Sequence, residues 1–168
     1  MTLSMYQASV PVFKTALRNL DAILARGVQH AEEHDIDPAV LLEARLFPDM
    51  FTLCRQVQVA SDFALRGACR LAGQEPKSTA DTETTFGELR ARIATALDTL
   101  DSYRPEQIDG SEERVIHLKL PIGEMDFDGK HFLQYFVLPN LFFHVTTAYN
   151  ILRHNGVPLG KTDFLGAK

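Results

Sequence analysis

Apolar residues recur along this chain at intervals of three and four, broken at a few points by proline, glycine and short polar runs. From residue 5 to residue 33 the inward positions include Phe13, Ala16, Leu17, Leu20, Ile23, Leu24 and Val28. That spacing predicts one long helix with a single buried stripe. Pro11 falls near its start, where it either kinks the helix or opens a fresh first turn. Asp37 then caps a short helix with Pro38 at its first position, running through Leu41, Leu42 and Leu46. Pro48 breaks this pattern. A second long helix is predicted from Asp49 to about Leu71, with Met50, Leu53, Cys54, Val57, Ala60, Ala64, Ala68 and Leu71 inward and Gly73 as its stop. Residues 73–84 are polar and form a loop. Thr85 and Glu88 stand at capping-box spacing. Phe86, Leu89, Ile93, Ala96, Leu97 and Leu100 then mark a third long helix that ends near Tyr103, before Pro105.

The period next changes to two. Ile116, Leu118 and Leu120 alternate with Val115, His117 and Lys119, and Met125 and Phe127 alternate beyond a Pro121-Ile122-Gly123 turn. This predicts a small β-hairpin, which is marginal alone in water and therefore expected to lie against the helices. The last long helix is predicted from Lys130 to about His154, dense in Phe132, Phe136, Leu141, Phe142, Phe143, Val145, Ala148, Ile151 and Leu152. Pro139 kinks it or divides it. Asn155-Gly156 stops it, and Pro158 rules out a simple continuation into the tail. The expectation is an all-α four-helix bundle, one domain over residues 1–168. A short helix separates the first two long helices, and a hairpin separates the third and fourth. The aromatic surplus of the last helix serves either the core or a seam between two copies of the chain.

Size and charge narrow the classes. A chain of 168 residues, 45% hydrophobic, suits one domain whose core needs neither disulfide nor metal. The net charge of −5 and the absence of a basic run disfavour tracking of a nucleic-acid backbone. No run of 18 apolar residues occurs, so no membrane span is expected. The first five residues lack a secretory leader pattern, which makes the cytoplasm the expected location. Cys54 and Cys69 fall in one predicted helix, about 22 Å apart at its usual rise, and read as two half-buried thiols. Dinucleotide, P-loop and Gly-x-Ser-x-Gly motifs are absent.

The candidate chemistry is a polar cluster. Asn140 and His144 share one face of the last helix, and Thr147 follows a turn later. Gln56 and Gln58 interrupt the apolar run of the second long helix. A Gln56–Asn140–His144 cluster must be hydrogen-bonded internally, to water or to a ligand, so a structural network and a ligand or metal site are both open. Histidine binds zinc, iron or nickel well, whereas amide oxygens are weak ligands. Asp62 reads as solvated. His30 and His34 read as polar residues near a helix C-terminus, and Asp81 and Glu83 as acids at the positive end of the third long helix. His117 is expected to be exposed, and His131 has no link to chemistry. Tyr6, Tyr135 and Tyr149 are expected to pack with one polar contact each, and Tyr149 also joins the candidate ligand-binding set.

Several blocks carry a resemblance over nearly the whole chain. They are Met5-Tyr6-Gln7-Ala8-Ser9-Val10-Pro11, Leu46-Phe47-Pro48-Asp49-Met50 with Gln56 through Asp62, and Asp81-Thr82-Glu83-Thr84-Thr85-Phe86. The last are Pro139 through Tyr149 and Leu152 through Gly160. In these the chain resembles the DUF1993 family, within the wider DinB-like (YfiT-like) metalloenzyme group. The resemblance implies a four-helix bundle that is often a homodimer. It also implies a divalent metal, zinc or nickel, held by three histidines. Gln56 and Asn140 stand at two of those positions and His144 at the third.

Three functions remain open. The first is a pocket protein that binds a small molecule through Gln56, Asn140, His144 and Tyr149, with His144 as acid or base. The second, from the resemblance, is a metal-dependent hydrolase or thiol transferase with Gln56, Asn140 and His144 on the metal and a further strong ligand from Asp49 or Glu83. The third is a dimeric scaffold without catalysis. The residues alone leave catalysis open.

Overall fold

The structure is a computed structural model that describes residues 3–120 and 123–166. Helix α1 spans Met5–Glu33. Ser4 and Gln7 close a capping box at its start, which satisfies backbone donors that the first turn leaves free. The helix continues through Pro11, with the loss of one backbone donor. Helix α2, Pro38–Glu43, is capped by Asp37, whose Oδ1 accepts from the Ala39 N–H at 2.9 Å.

Helix α3 spans Leu53–Leu71 and so begins four residues later than its apolar pattern predicts. The N–H of Met50 closes a turn onto the Phe47 carbonyl beside Pro48, and the N–H of Leu53 is used by the Ala44 carbonyl. Thr52 provides the cap. Helix α4, Phe86–Asp101, carries the expected Thr85/Glu88 capping box. A four-residue helix α5, Pro105–Ile108, follows. It is too short to show a period.

Strands β1, Val115–Leu120, and β2, Gly123–Asp128, pair antiparallel, with Ile116 opposite Phe127 and Leu118 opposite Met125. Ile116 and Leu118 are buried and His117 is exposed, as alternation demands. The expected turn residues Pro121 and Ile122, and the Leu120 side chain, lie outside the described residues. After the one-turn helix α6, Gly129–His131, the chain makes a π-helical segment, Phe132–Val137, and enters helix α7, Leu138–His154. Pro139 therefore does not divide the helix. The wider turn before it pairs the Leu138 N–H with the Leu133 carbonyl five residues back, and the helix absorbs the missing proline donor there. The tail forms a short helix α8, Lys161–Leu165, that Pro158 and two glycines obscure in the sequence.

Helix α1 packs on α3, α4 and α7, and α3 packs on α4 and α7. Phe13, Leu17, Leu20 and Leu24 of α1 meet Val57, Ala60, Ala64 and Ala68 of α3 in one apolar cluster. Each large side chain there contributes about 1.5–3 kcal/mol by leaving water. Small residues let α3 approach its neighbours closely. A Cβ on Gly67 would lie 2.7 Å from Val137 Cγ1 of the π segment. Among the described residues no helix is long and apolar enough to cross a membrane.

Candidate functional site

The α3–α7 contact brings Gln56 against His144. Both are buried, at 1% and 7% exposure. The Gln56 amide Nε2 donates to the Phe51 carbonyl at 3.2 Å. A carbonyl can only accept, so the amide is oriented and Oε1 faces His144. That oxygen lies 2.7 Å from His144 Nδ1 and also can only accept, so Nδ1 carries the proton. The relay leaves Nε2 as a lone pair. Nε2 makes no hydrogen bond with the described residues. Among the described residues it is not one of the fully enclosed unpartnered atoms, which are His30 Nδ1 and Ser111 Oγ.

Aromatic rings wall the imidazole. Phe63 stacks on it at 5.7 Å between centroids, Phe51 lies nearly parallel at 6.4 Å and Phe143 meets it edge-on at 5.3 Å. Burial, and secondarily the nearby Arg55 charge, push the His144 pKa down from 6.5 to about 4. The ring is neutral at physiological pH. So low a pKa also makes it a weak proton acceptor, better suited to accept a hydrogen bond than to act as a general base near pH 7.

The remaining predicted residues do not join it. Asn140 donates to the Phe136 carbonyl at 2.7 Å and shares no hydrogen bond with Gln56 or His144. Its amide serves the π segment four residues back, and the expected trio is a pair. Thr147 donates to the Phe143 carbonyl. Tyr149 packs against Phe164 of α8 and belongs to a different face. Tyr135 is exposed and stacks on His131, which is paired with Asp128. His30 is buried beneath His34 rather than solvated, with ring centroids 4.2 Å apart. Five clefts of about 200 to 500 Å³ indent the surface, and none of these five is lined by Gln56, Asn140 or His144.

Beside this pair lies an ionic network that the periodicity concealed. Arg92 of α4 is buried and donates to Asp62 at 2.8 Å, Glu83 at 3.0 Å and the Ala80 carbonyl at 3.0 Å, with Asp81 at 3.1 Å. Asp62 is therefore not solvated. Its two oxygens are divided between Arg92 and Arg66, the latter at 2.9 Å. Asp81 also pairs with Arg55, and Glu83 accepts from Gln58 at 3.0 Å. These acids tie the loop before α4 to α3 instead of serving only the helix dipole. Cys54 donates to the Glu83 carbonyl, and burial followed by the Glu83 charge raises its pKa, so it is not an activated thiolate. Cys69 is also a free, half-buried thiol. A sequence signal for the network existed: Arg92 occupies a stripe position between Leu89 and Ala96.

A divalent metal does not fit the donors present. Gln56 uses its oxygen to orient His144 and Asn140 is engaged with backbone. Glu83 is held by Arg92 and Gln58, and Asp49 is exposed on the loop before α3. Among the described residues no group of three or more histidines, cysteines or carboxylates is placed to share an ion. One imidazole nitrogen with two amides is a weak set for zinc or nickel.

Helical elements in this order, with a two-stranded excursion before the last long helix, match the fold of a DinB family member. The chain belongs to the DUF1993 family, a domain of unknown function, whose profile matches residues 5–165. It is similar to a DinB family member protein from Shewanella denitrificans known from a crystal structure. The two share 42% identity over 97% of this chain and 92% of that one, with a TM-score of 0.88. No curated protein matches the chain.

Proposed function

We propose that the four long helices form a DinB-type four-helix bundle whose α3–α7 seam binds a small uncharged molecule through His144. The observation that carries this is the Phe51–Gln56–His144 relay. It fixes the Nδ1–H tautomer and leaves a neutral Nε2 lone pair without a partner among the described residues, between aromatic walls. A structural histidine needs both nitrogens satisfied, whereas this one keeps an acceptor in reserve. The ligand then carries an O–H, N–H or S–H donor on a flat or apolar body. A ring with its pKa near 4 supports binding more than proton transfer.

Phenol and anisole test the reading, since they share a ring and differ in the donor. Phenol should shift the His144 ring nitrogens in NMR and lose its binding in His144→Ala, while anisole should bind far more weakly. Equal binding of both, or phenol binding that survives His144→Ala, would remove the proposal.

A second reading is a homodimer seated on the same end of the bundle. It draws on Phe51 and Phe143, which flank His144 and are 49% and 55% exposed. Sedimentation of the wild type against Phe143→Asp decides it: a dimer that the substitution dissociates supports the seam, and a wild-type monomer removes it.

A further inference from the structure

A cavity of about 200 Å³ lies between α3, β1 and the π segment, lined in part by Phe63, the ring that stacks on His144. Residues 55, 59, 63, 66 and 70 of α3 form one stripe along its wall, at the four-, four-, three- and four-residue steps of a single helix face. Four cationic side chains and one carboxylate line it, in a chain whose net charge is −5.

The lone carboxylate is already occupied. Asp62 divides its oxygens between Arg92 and Arg66, and Arg55 is paired with Asp81. Among the described residues Lys119 pairs only with the exposed Glu124, at 3.5 Å. Arg70 is different. It is half-buried, it has Arg66 one turn behind it, and it makes no ion pair or side-chain hydrogen bond among the described residues. A guanidinium has five donors in a planar fork that matches a carboxylate two oxygens at a time. Among the described residues none of the Arg70 nitrogens is an enclosed unpartnered atom, so water serves the fork in the free cleft and a carboxylate would take the place of that water. Burial, the largest influence on it, already lowers the Arg70 pKa. The rest of the wall is apolar and largely aromatic, with Phe63, Phe132 and Phe136.

We propose that this cleft binds a small organic monocarboxylate, its carboxylate on the Arg70 fork with Arg66 beside it and its apolar or aromatic body against Phe63 and Phe136. The volume suits a body of about one ring and is below the usual range for larger ligands. The rings favour an organic acid over a bare inorganic anion. The site is distinct from the Nε2 acceptor of His144, which does not line this cleft.

Benzoate, its neutral isostere benzamide and inorganic phosphate are the probes, titrated calorimetrically and by NMR of the arginine Nε–H groups in the full chain. Benzoate should shift the Arg70 signal, and benzamide and phosphate should each bind at least about tenfold more weakly, the scale of one charge-assisted hydrogen-bonded pair. Arg70→Ala should weaken benzoate by a similar factor, and Arg70→Lys should restore part of it, because a lysine keeps the charge and loses the fork. Circular dichroism establishes that both variants fold. Phenol should still shift the His144 ring in Arg70→Ala, so the two sites fail independently. Equal affinity for benzoate and benzamide, phosphate binding as tight as benzoate, or undiminished benzoate binding by folded Arg70→Ala would each overturn the proposal.

Discussion

The Nδ1–H of His144 donates to Oε1 of Gln56 at 2.7 Å, although 88 residues separate the two in the chain. The bond joins α7 to α3 in the interior and leaves one imidazole nitrogen in reserve. Its first consequence concerns acid. His144 has a folded-state pKa near 4, below its ordinary 6.5. Between those values the unfolded chain binds the proton and the native chain does not, so stability falls as pH drops from about 6.5 to about 4. The histidine contributes on the order of 3 kcal/mol to that fall. Urea unfolding across this range should show the loss in the wild type and a flatter profile in His144→Ala. Parallel profiles would show that His144 is not the titrating group.

Replacing Gln56 with glutamate should reverse the electrostatics. A carboxylate at the position of the amide oxygen favours the charged imidazolium, and the His144 pKa should rise by at least about one unit. An NMR titration of the ring reads this directly. An unmoved value would place the Gln56 side chain away from the imidazole.

Arg92 holds the loop before α4 to α3 through Asp62, Asp81 and Glu83. Arg92→Ala leaves the half-buried Glu83 without its cation and Asp62 with Arg66 alone, and should cost about 1–3 kcal/mol by chemical denaturation. A loss below about 1 kcal/mol would mean that water reaches these carboxylates easily.

Gly67 tests the seam between α3 and the π segment. In Gly67→Ala the new methyl meets Val137, itself buried and stiff at its β-branch, so the segment must shift. A loss of about 1–3 kcal/mol is expected, although alanine is the better helix former. Unchanged or higher stability would show slack in this contact.

Much of this arrangement is legible in the residues themselves. The three-four spacing of Phe13 through Val28 predicts α1, and the alternation around His117 predicts the hairpin, because each element must bury one face. The capping pair Thr85 and Glu88 marks α4 to the residue. Gln56 and His144 stand out as polar groups inside apolar stripes, and they do meet. Asn140 does not, because a one-dimensional spacing cannot show that its amide is needed by the Phe136 carbonyl at the end of the π segment. Asp62 reads as solvated in the sequence because periodicity registers apolar positions and says nothing about a cation arriving from another helix. The same limit hid the Arg70 cleft, whose walls come from three elements distant in sequence.

The three-histidine metal site that the resemblance implies gives a further contrast. With Gln56 and Asn140 engaged as described, zinc or nickel added to purified protein should bind below one ion per chain and leave the melting temperature unchanged. Elemental analysis of protein made without a histidine tag checks the first point. A stoichiometric ion lost in His144→Ala would show that the amides do release the histidine to a metal.

Long-range proton–nitrogen correlation NMR of histidine-labelled protein at pH 7 measures the His144 tautomer most directly. The relay predicts a protonated Nδ1 and an unprotonated Nε2, and that pattern should persist down to about pH 5 and be disturbed in Gln56→Ala. A proton on Nε2, or a ring already charged at pH 6, would contradict it.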